Sequence, residues 1–358
     1  MDPEDVGTFS FPCSLVGNAH LRYIDFMNLE AFVLGCGGMM PLPYRHLTSV
    51  LLRRDGDLFL FDCGEGTQVS LRRLNLKWKK IDAIFISHTH ADHITGLPGL
   101  MMLSSQVDRD EPLYIYGPPK VADYVESSRK VLDMYINYPV VVKEITAPCV
   151  VHEGKDFYIR AFPLNHTKPC VGYTLEELDR PGEFNPEAAR ALNVPVGPLW
   201  SKLQAGQSVT ASDGSTVTPE QVMGAKRSGR KFSYVTDTMY IPSIAPAVQG
   251  SDLLICESMF SQDMEDQARE KKHMSARQAA TIARDAQVKQ LGLIHYSPRY
   301  TDKELDLLLQ EARNVFPDTV LTRDRMVFDI TYGNTHDGDE GNHCHRPYFH
   351  TLRYGDQA

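Results

Sequence analysis

Residues 81–93 read Ile81-Asp82-Ala83-Ile84-Phe85-Ile86-Ser87-His88-Thr89-His90-Ala91-Asp92-His93. The run from Ile81 to Ile86 is short, apolar and rich in β-branched and aromatic residues, so it reads as a strand. Three imidazoles and a carboxylate follow it at once. Alternation along an extended segment puts His88 and His90 on one side, and a turn beginning near Ala91 brings Asp92 and His93 round to a second position. One peptide can thus ligate two metals. Neutral imidazole suits Zn²⁺ and its first-row neighbours, and a carboxylate beside it can bind metal or act as a base. A lone His-x-His is most often a solvated polar turn, but the full HxHxDH behind an apolar strand favours a metal site.

Outward from this stretch, further apolar runs read as strands: Leu58 to Phe61, Leu113 to Tyr116, Phe157 to Phe162, Phe232 to Val235, Leu253 to Cys256, Leu291 to Ile294 and Val327 to Ile330. Helical patterns lie between several of them. The clearest spans about 275–287, where Ala279, Ile282, Ala283 and Ala286 form one apolar stripe. Strands alternating with such helices predict an α/β layered fold. Three segments stand outside that core: an extension at 1–29, an excursion at 176–230, and a tail at 333–358 carrying His336, His343, Cys344, His345 and His350. The excursion is rich in turn formers and holds a hairpin signature, Asp213-Gly214 between two Val/Thr runs.

The 358 residues carry 37 Lys+Arg against 46 Asp+Glu, for a net charge of -9, and are 42% hydrophobic. That balance excludes a disordered or fibrous chain. The acidic start and the lack of a long apolar run predict a cytoplasmic protein with no membrane partner. The seven cysteines are scattered without a CxxC pair, so neither a disulfide framework nor a thiolate zinc finger is expected.

HTHADH (88–93) resembles the signature of the metallo-β-lactamase superfamily, which implies an αββα sandwich with a dinuclear site. Gly35-Cys36-Gly37-Gly38, Pro41-Leu42-Pro43-Tyr44-Arg45-His46, FDCGEGTQ (61–68), GLPGL (96–100), YGP (116–118), HMSARQAA (273–280) and HYSPRY (295–300) narrow the resemblance to ribonuclease Z, the tRNA 3′-processing endonucleases, from about residue 30 to about 332. The catalytic domain is accordingly expected over 30–332. The resemblance implies His166, Asp237 and His295 as the remaining ligands, each after an apolar run. It assigns His88, His90 and His166 to one metal and Asp92, His93 and His295 to the other, with Asp237 bridging. It further implies two Zn²⁺ per subunit, Mn²⁺ being a possible substitute. Taken singly, a His or Asp at a strand end is more often a cap or loop contact. Asp62 is expected to hydrogen-bond the ligands rather than bind metal.

The same resemblance makes Glu257 and His273 a proton-donating dyad and lets Asp92 orient the attacking water. Protonation of the departing ribose 3′-oxygen is sound chemistry for such a pair. Arg299 is a candidate phosphate contact because its planar fork matches phosphate oxygens. Arg45 and His46 fall in the loop resembling the family's acceptor-stem site, although the family usually reads Arg-Asn there. The excursion takes the place of the family's flexible arm, an exosite for the tRNA elbow, with Gly197-Pro198 matching its Gly-Pro motif. Precursor tRNA as partner and a homodimer follow from the resemblance. A phosphodiesterase for small or other nucleic-acid phosphodiesters is the alternative, and an RNA-binding scaffold with a vestigial site a third.

The net charge looks unfriendly to RNA. Base is nevertheless concentrated at 71–80 (Arg72, Arg73, Lys77, Lys79, Lys80, with no acid) and at 225–231 (Lys226, Arg227, Arg230, Lys231). RNA binding is therefore expected on a few strips and to weaken with salt.

Overall fold

The computed structural model describes residues 28–332 except 77, 107 and 108. The predicted tail, its histidines and all but the last two residues of the predicted N-terminal extension lie outside the described residues. Sixteen strands are described: β1 (Leu29–Gly35), β2 (Ser49–Arg54), β3 (Asp57–Phe61), β4 (Ala83–Phe85), β5 (Leu113–Gly117), β6 (Val140–Glu144), β7 (Cys149–Glu153), β8 (Phe157–Asn165), β9 (Pro169–Glu177), β10 (Val209–Thr210), β11 (Thr216–Val217), β12 (Lys231–Val235), β13 (Leu253–Glu257), β14 (Gln290–Ile294), β15 (Thr319–Leu321) and β16 (Val327–Asp329). Helices α1 (Thr67–Arg73), α2 (Ala91–Ile94), α3 (Leu97–Ser104), α4 (Val121–Val131), α5 (Pro186–Ala191), α6 (Pro198–Gln204), α7 (Ile244–Ala247), α8 (Glu265–Lys271), α9 (Ala276–Asp285) and α10 (Asp302–Arg313) connect them.

Two seven-stranded sheets result, ordered β16-β1-β2-β3-β4-β5-β6 and β15-β14-β13-β12-β9-β8-β7. In each, four strands pair antiparallel and the rest continue in parallel: β3 to β6 in the first, β12 to β15 in the second. Period-two alternation sorts the side chains. Phe59 and Phe61 enter the core between the sheets, whereas Leu58 and Leu60 face the outer layer with Leu97, Leu100 and Val121. Phe61 stacks on Phe85 at 5.2 Å and lies 5.3 Å from Phe232 of the opposite sheet. The stripe Ala279, Ile282, Ala283 and Ala286 is buried against the second sheet, as its period requires. The architecture is the α/β sandwich of the metallo-β-lactamase type.

Parallel strands send all their C-terminal ends to one rim, and the chemically interesting residues sit there. His88 follows β4, Asp237 follows β12, Glu257 ends β13 and His295 follows β14. His166 joins them from the end of β8.

The excursion leaves from β9 and returns at β12, two strands that pair directly, Phe232 opposite Leu175 and Tyr234 opposite Tyr173. It is more ordered than its turn-rich sequence suggests. Ala189, Val194, Leu203, Val209, Val217 and Val222 form a small core of its own, packed with Phe184 and Trp200. The predicted hairpin is present as β10–β11.

Candidate metal centre

Residues dispersed over two hundred positions converge at the rim. Donor atoms of His88, His90, His166 and Asp237 lie within 4.8 Å of one another, as do those of Asp92, His93 and His295. His88 Nε2 is 2.9 Å from His90 Nδ1, which is 3.1 Å from His166 Nε2. Across the site, His93 Nε2 is 3.2 Å from His295 Nε2. Asp237 touches both groups, one oxygen 3.2 Å from His93 and His295 and the other 3.6 Å from His88 and His166. A third grouping, Asp237, His273 and His295, also meets the donor distance. The sequence reading did not anticipate it.

The surroundings aim these side chains. Asp62, fully buried, accepts from the Ser87 amide at 2.7 Å, the Ser87 hydroxyl at 2.8 Å and the Tyr234 hydroxyl at 2.8 Å, and lies 2.7 Å from His93 Nδ1. It thus fixes the ring of a donor from behind, the supporting contact expected of it. His166 Nδ1 donates to the Lys272 carbonyl at 2.9 Å. The Met39 amide donates to Asp92 Oδ2 at 2.6 Å, with Met39 in the left-handed region at φ 67°. Gly38 must be glycine: a Cβ there would lie 2.6 Å from the His295 ring. Neither Met39, Tyr234 nor Lys272 was legible in the sequence, because two act through backbone atoms and the third looks like an ordinary strand tyrosine.

Burial, together with neighbouring rings, holds His88 well below the usual imidazole value and His90 at about 4; burial also lowers His166. These are neutral imidazoles, the form that ligates. Burial opposes ionisation of Asp237 and Asp92, yet His295 and His93 hold both well below the carboxylate range. His295 Nδ1 is buried without a hydrogen-bond partner. Burial disfavours charge on His93 too, but Asp237, Asp92 and Asp62 raise it well above the usual imidazole value. Three neutral imidazoles packed beside ionised carboxylates fit a divalent metal of the imidazole- and carboxylate-binding kind.

Beside this centre, His273 Nδ1 lies 3.1 Å from Glu257 Oε2 and 4.0 Å from Asp237. Glu257 is fully buried and also accepts from the Thr238 and Met274 amides. Burial lowers the proton affinity of His273, but the Glu257 charge and hydrogen bond outweigh it and raise the ring to about 9.

Other expected contacts fare differently. Arg45 is buried, pairing with Asp302 at 3.1 Å and reaching the Tyr300 carbonyl. His46 is held against Ser70 and Asp324. Arg299 is exposed, its guanidinium 5.0 Å over Phe260 and its Nε donating to Ser297 at 3.1 Å. Gly197, at φ 137°, opens α6 with free space around it, next to Val196 at 69% exposure. The basic strip at 225–231 is largely spent internally. Arg230 is buried on Glu177, Lys231 pairs with Glu176 and Arg227 with Glu183. Charge in a sequence does not reveal which cations face solvent.

Comparison with known proteins agrees with this geometry. The family model described as anti-Pycsar protein Apyc1 matches residues 29–159, and a beta-lactamase superfamily domain matches 193–296. Ribonuclease Z of Treponema denticola is 72% identical over 306 residues, covering 86% of this chain and 99% of that protein. Ribonuclease Z of Borrelia hermsii is 43% identical, covering 84% and 96%. The crystal structure of human tRNase Z, short form, superposes with a TM-score of 0.62 at 26% identity, covering 84% of this chain and 99% of that one. A metallo-beta-lactamase fold protein from Bacillus subtilis, YhfI, gives 0.60 at 21% identity, covering 85% and 99%, a likeness of fold. No helix among the described residues is long and apolar enough to cross a membrane. Identity at this level, sustained over nearly the whole length of its relatives, means that the chain belongs to the ribonuclease Z family, endoribonucleases on the metallo-β-lactamase fold.

Proposed function

We propose that this protein cuts the 3′ trailer from precursor tRNA just 3′ of the discriminator nucleotide, using two Zn²⁺ per subunit, for which Mn²⁺ can substitute. The observation that carries the reading is the pair of donor groups sharing Asp237, set directly beside the Glu257–His273 pair. His88, His90 and His166 would hold one ion, Asp92, His93 and His295 the other, with Asp237 between them. Bound there, two such ions act as Lewis acids on the phosphodiester and make an attacking water more acidic. The protein's own groups do the rest. Asp92, fixed by the Met39 amide, orients the water. Glu257 holds His273 through Nδ1, leaving Nε2 to donate a proton to the departing ribose 3′-oxygen. The products are a tRNA 3′-hydroxyl and a 5′-phosphorylated trailer.

Around the centre, Arg299 contacts a substrate phosphate and the 176–230 arm, through Gly197-Pro198, grips the tRNA elbow. Arg45 shapes the acceptor-end loop through Asp302, and His46 lies beside it in the same loop. The catalytic domain spans 30–332, and the protein acts in the cytoplasm as a homodimer. The exposed cluster Val131, Leu132 and Tyr135 at the end of α4 supports an interface. Removing residues 178–228 tests the reading. Pre-tRNA cleavage should collapse while turnover of bis-p-nitrophenyl phosphate survives; equal survival of both would overturn the exosite assignment.

A further inference from the structure

In the first basic strip, three described cations face solvent. Residues 67–81 contain no carboxylate, and Arg72, Arg73 and Lys80 are exposed, with no ion pair among the described residues. Helix α1 starts at the rim, since a Cβ on its N-terminal Gly66 would strike the ring of His46, and a Cβ on Gly64 would meet the backbone of Asp92. From there its seven residues rise about 10 Å away from the metal centre. Val69, Arg72 and Arg73 line its solvent side at spacings of three and four. At its far end lies a cavity of about 310 Å³ lined by Arg72, Asn75, Leu76 and Trp78. Asn75, at φ 51°, turns the chain out of the helix there, and the half-buried Trp78 packs against the outer-layer core.

A cationic track that leaves the scissile centre and ends at an indole and a guanidinium has the chemistry of a single-strand nucleic-acid channel. Phosphates take the cations, and an unpaired base of any identity takes the π-face. We propose that the outer side of α1 guides the single-stranded 3′ trailer away from the cut bond, with Arg72, Arg73 and Lys80 on its phosphates and one unpaired base stacked in the Trp78 cavity. This rests on the tRNA 3′-processing reading. It predicts that the enzyme prefers substrates whose trailer is long enough to reach the cavity, whatever its sequence.

The test compares kcat/KM for one pre-tRNA body carrying a one-nucleotide or a ten-nucleotide trailer. The wild-type ratio of long to short should be about tenfold, the scale of one stacked base with its phosphates. Both W78L and the surface variant R72E/R73E should bring that ratio toward one. A wild-type ratio near one, or a tenfold ratio kept in both variants, would overturn the proposal. Failure of the wild-type protein to cut either substrate would instead overturn the function on which it rests. A binding measurement guards against misfolding of W78L. The chain has two tryptophans, Trp78 and Trp200, so W200F leaves Trp78 as the only tryptophan, read by exciting the indole selectively over the tyrosines. Its fluorescence should be quenched by a single-stranded oligoribonucleotide at low salt and recover as salt rises. Unquenched emission would also overturn the proposal.

Discussion

In the proposed mechanism the proton donor is His273, a residue that meets the donor distance of a metal group yet is engaged through Nδ1 by a buried carboxylate. If it donates the proton, His273→Ala should lower kcat by about 10²–10⁴-fold while metal content, read by atomic emission, stays at the wild-type level. Loss of metal would make it a ligand. The ring donates only while protonated, so its contribution fades as pH rises through about 9. Glu257→Gln removes the carboxylate that raises it, and the alkaline limb of the pH–rate profile should move to lower pH. Four of the seven donors are legible in HTHADH itself, whereas His166, Asp237 and His295 were named only through the family resemblance. What positions them was not legible: the Met39 amide, the Lys272 carbonyl and the vacant place at Gly38 are backbone facts with no side-chain signature.

At the scale of elements, the apolar runs marked β3, β4, β5, β8, β12, β13, β14 and the edge strand β16, and missed β1, β2, β6, β7, β9 and β15. No residue of the edge strands β6 (VVVKE) and β7 (CVVHE) is fully buried, so neither shows an inside–outside alternation of apolar and polar side chains. The arm looked irregular because its small core draws single residues from scattered short elements. Its root is a buried clamp. Glu177 accepts from Arg54 at 2.9 Å and from Arg230 through its backbone amide and two guanidinium nitrogens at 2.8–3.0 Å. Burial pushes this carboxyl up, but Arg230 and Arg54 bring it down to about 2. A depressed acid stabilises the fold in full above its ordinary value of 4.5, and that contribution is lost as pH falls toward 2. Glu177→Gln should therefore cost about 3–5 kcal/mol at neutral pH, by removing the buried carboxylate that both guanidiniums share, and should flatten stability between those pH values. Denaturant melts from pH 2 to 7 check both, and a variant as stable as wild type at neutral pH would contradict the clamp.

For the whole molecule, the two sheets and their helices build a rim where residues from five strand ends meet, and the net charge of -9 says little about what binds there. The charge matters by location: base faces solvent along α1 and is consumed at the root of the arm. Because imidazole nitrogens and ionised aspartates crowd one buried volume, metal should contribute to folding as well as to cleavage. Chelation should lower the melting temperature, and readdition of Zn²⁺ at a thousandfold excess over Kd should restore about 4 kcal/mol per site. An unchanged melt would deny that the centre holds metal in the folded state. The central claim is tested most directly by mapping the ends produced when the metal-loaded protein is incubated with native pre-tRNA. The expected result is a single cut after the discriminator nucleotide, giving a 3′-hydroxyl and a 5′-phosphorylated trailer. A folded, metal-loaded protein that leaves the 3′ extension intact would contradict it.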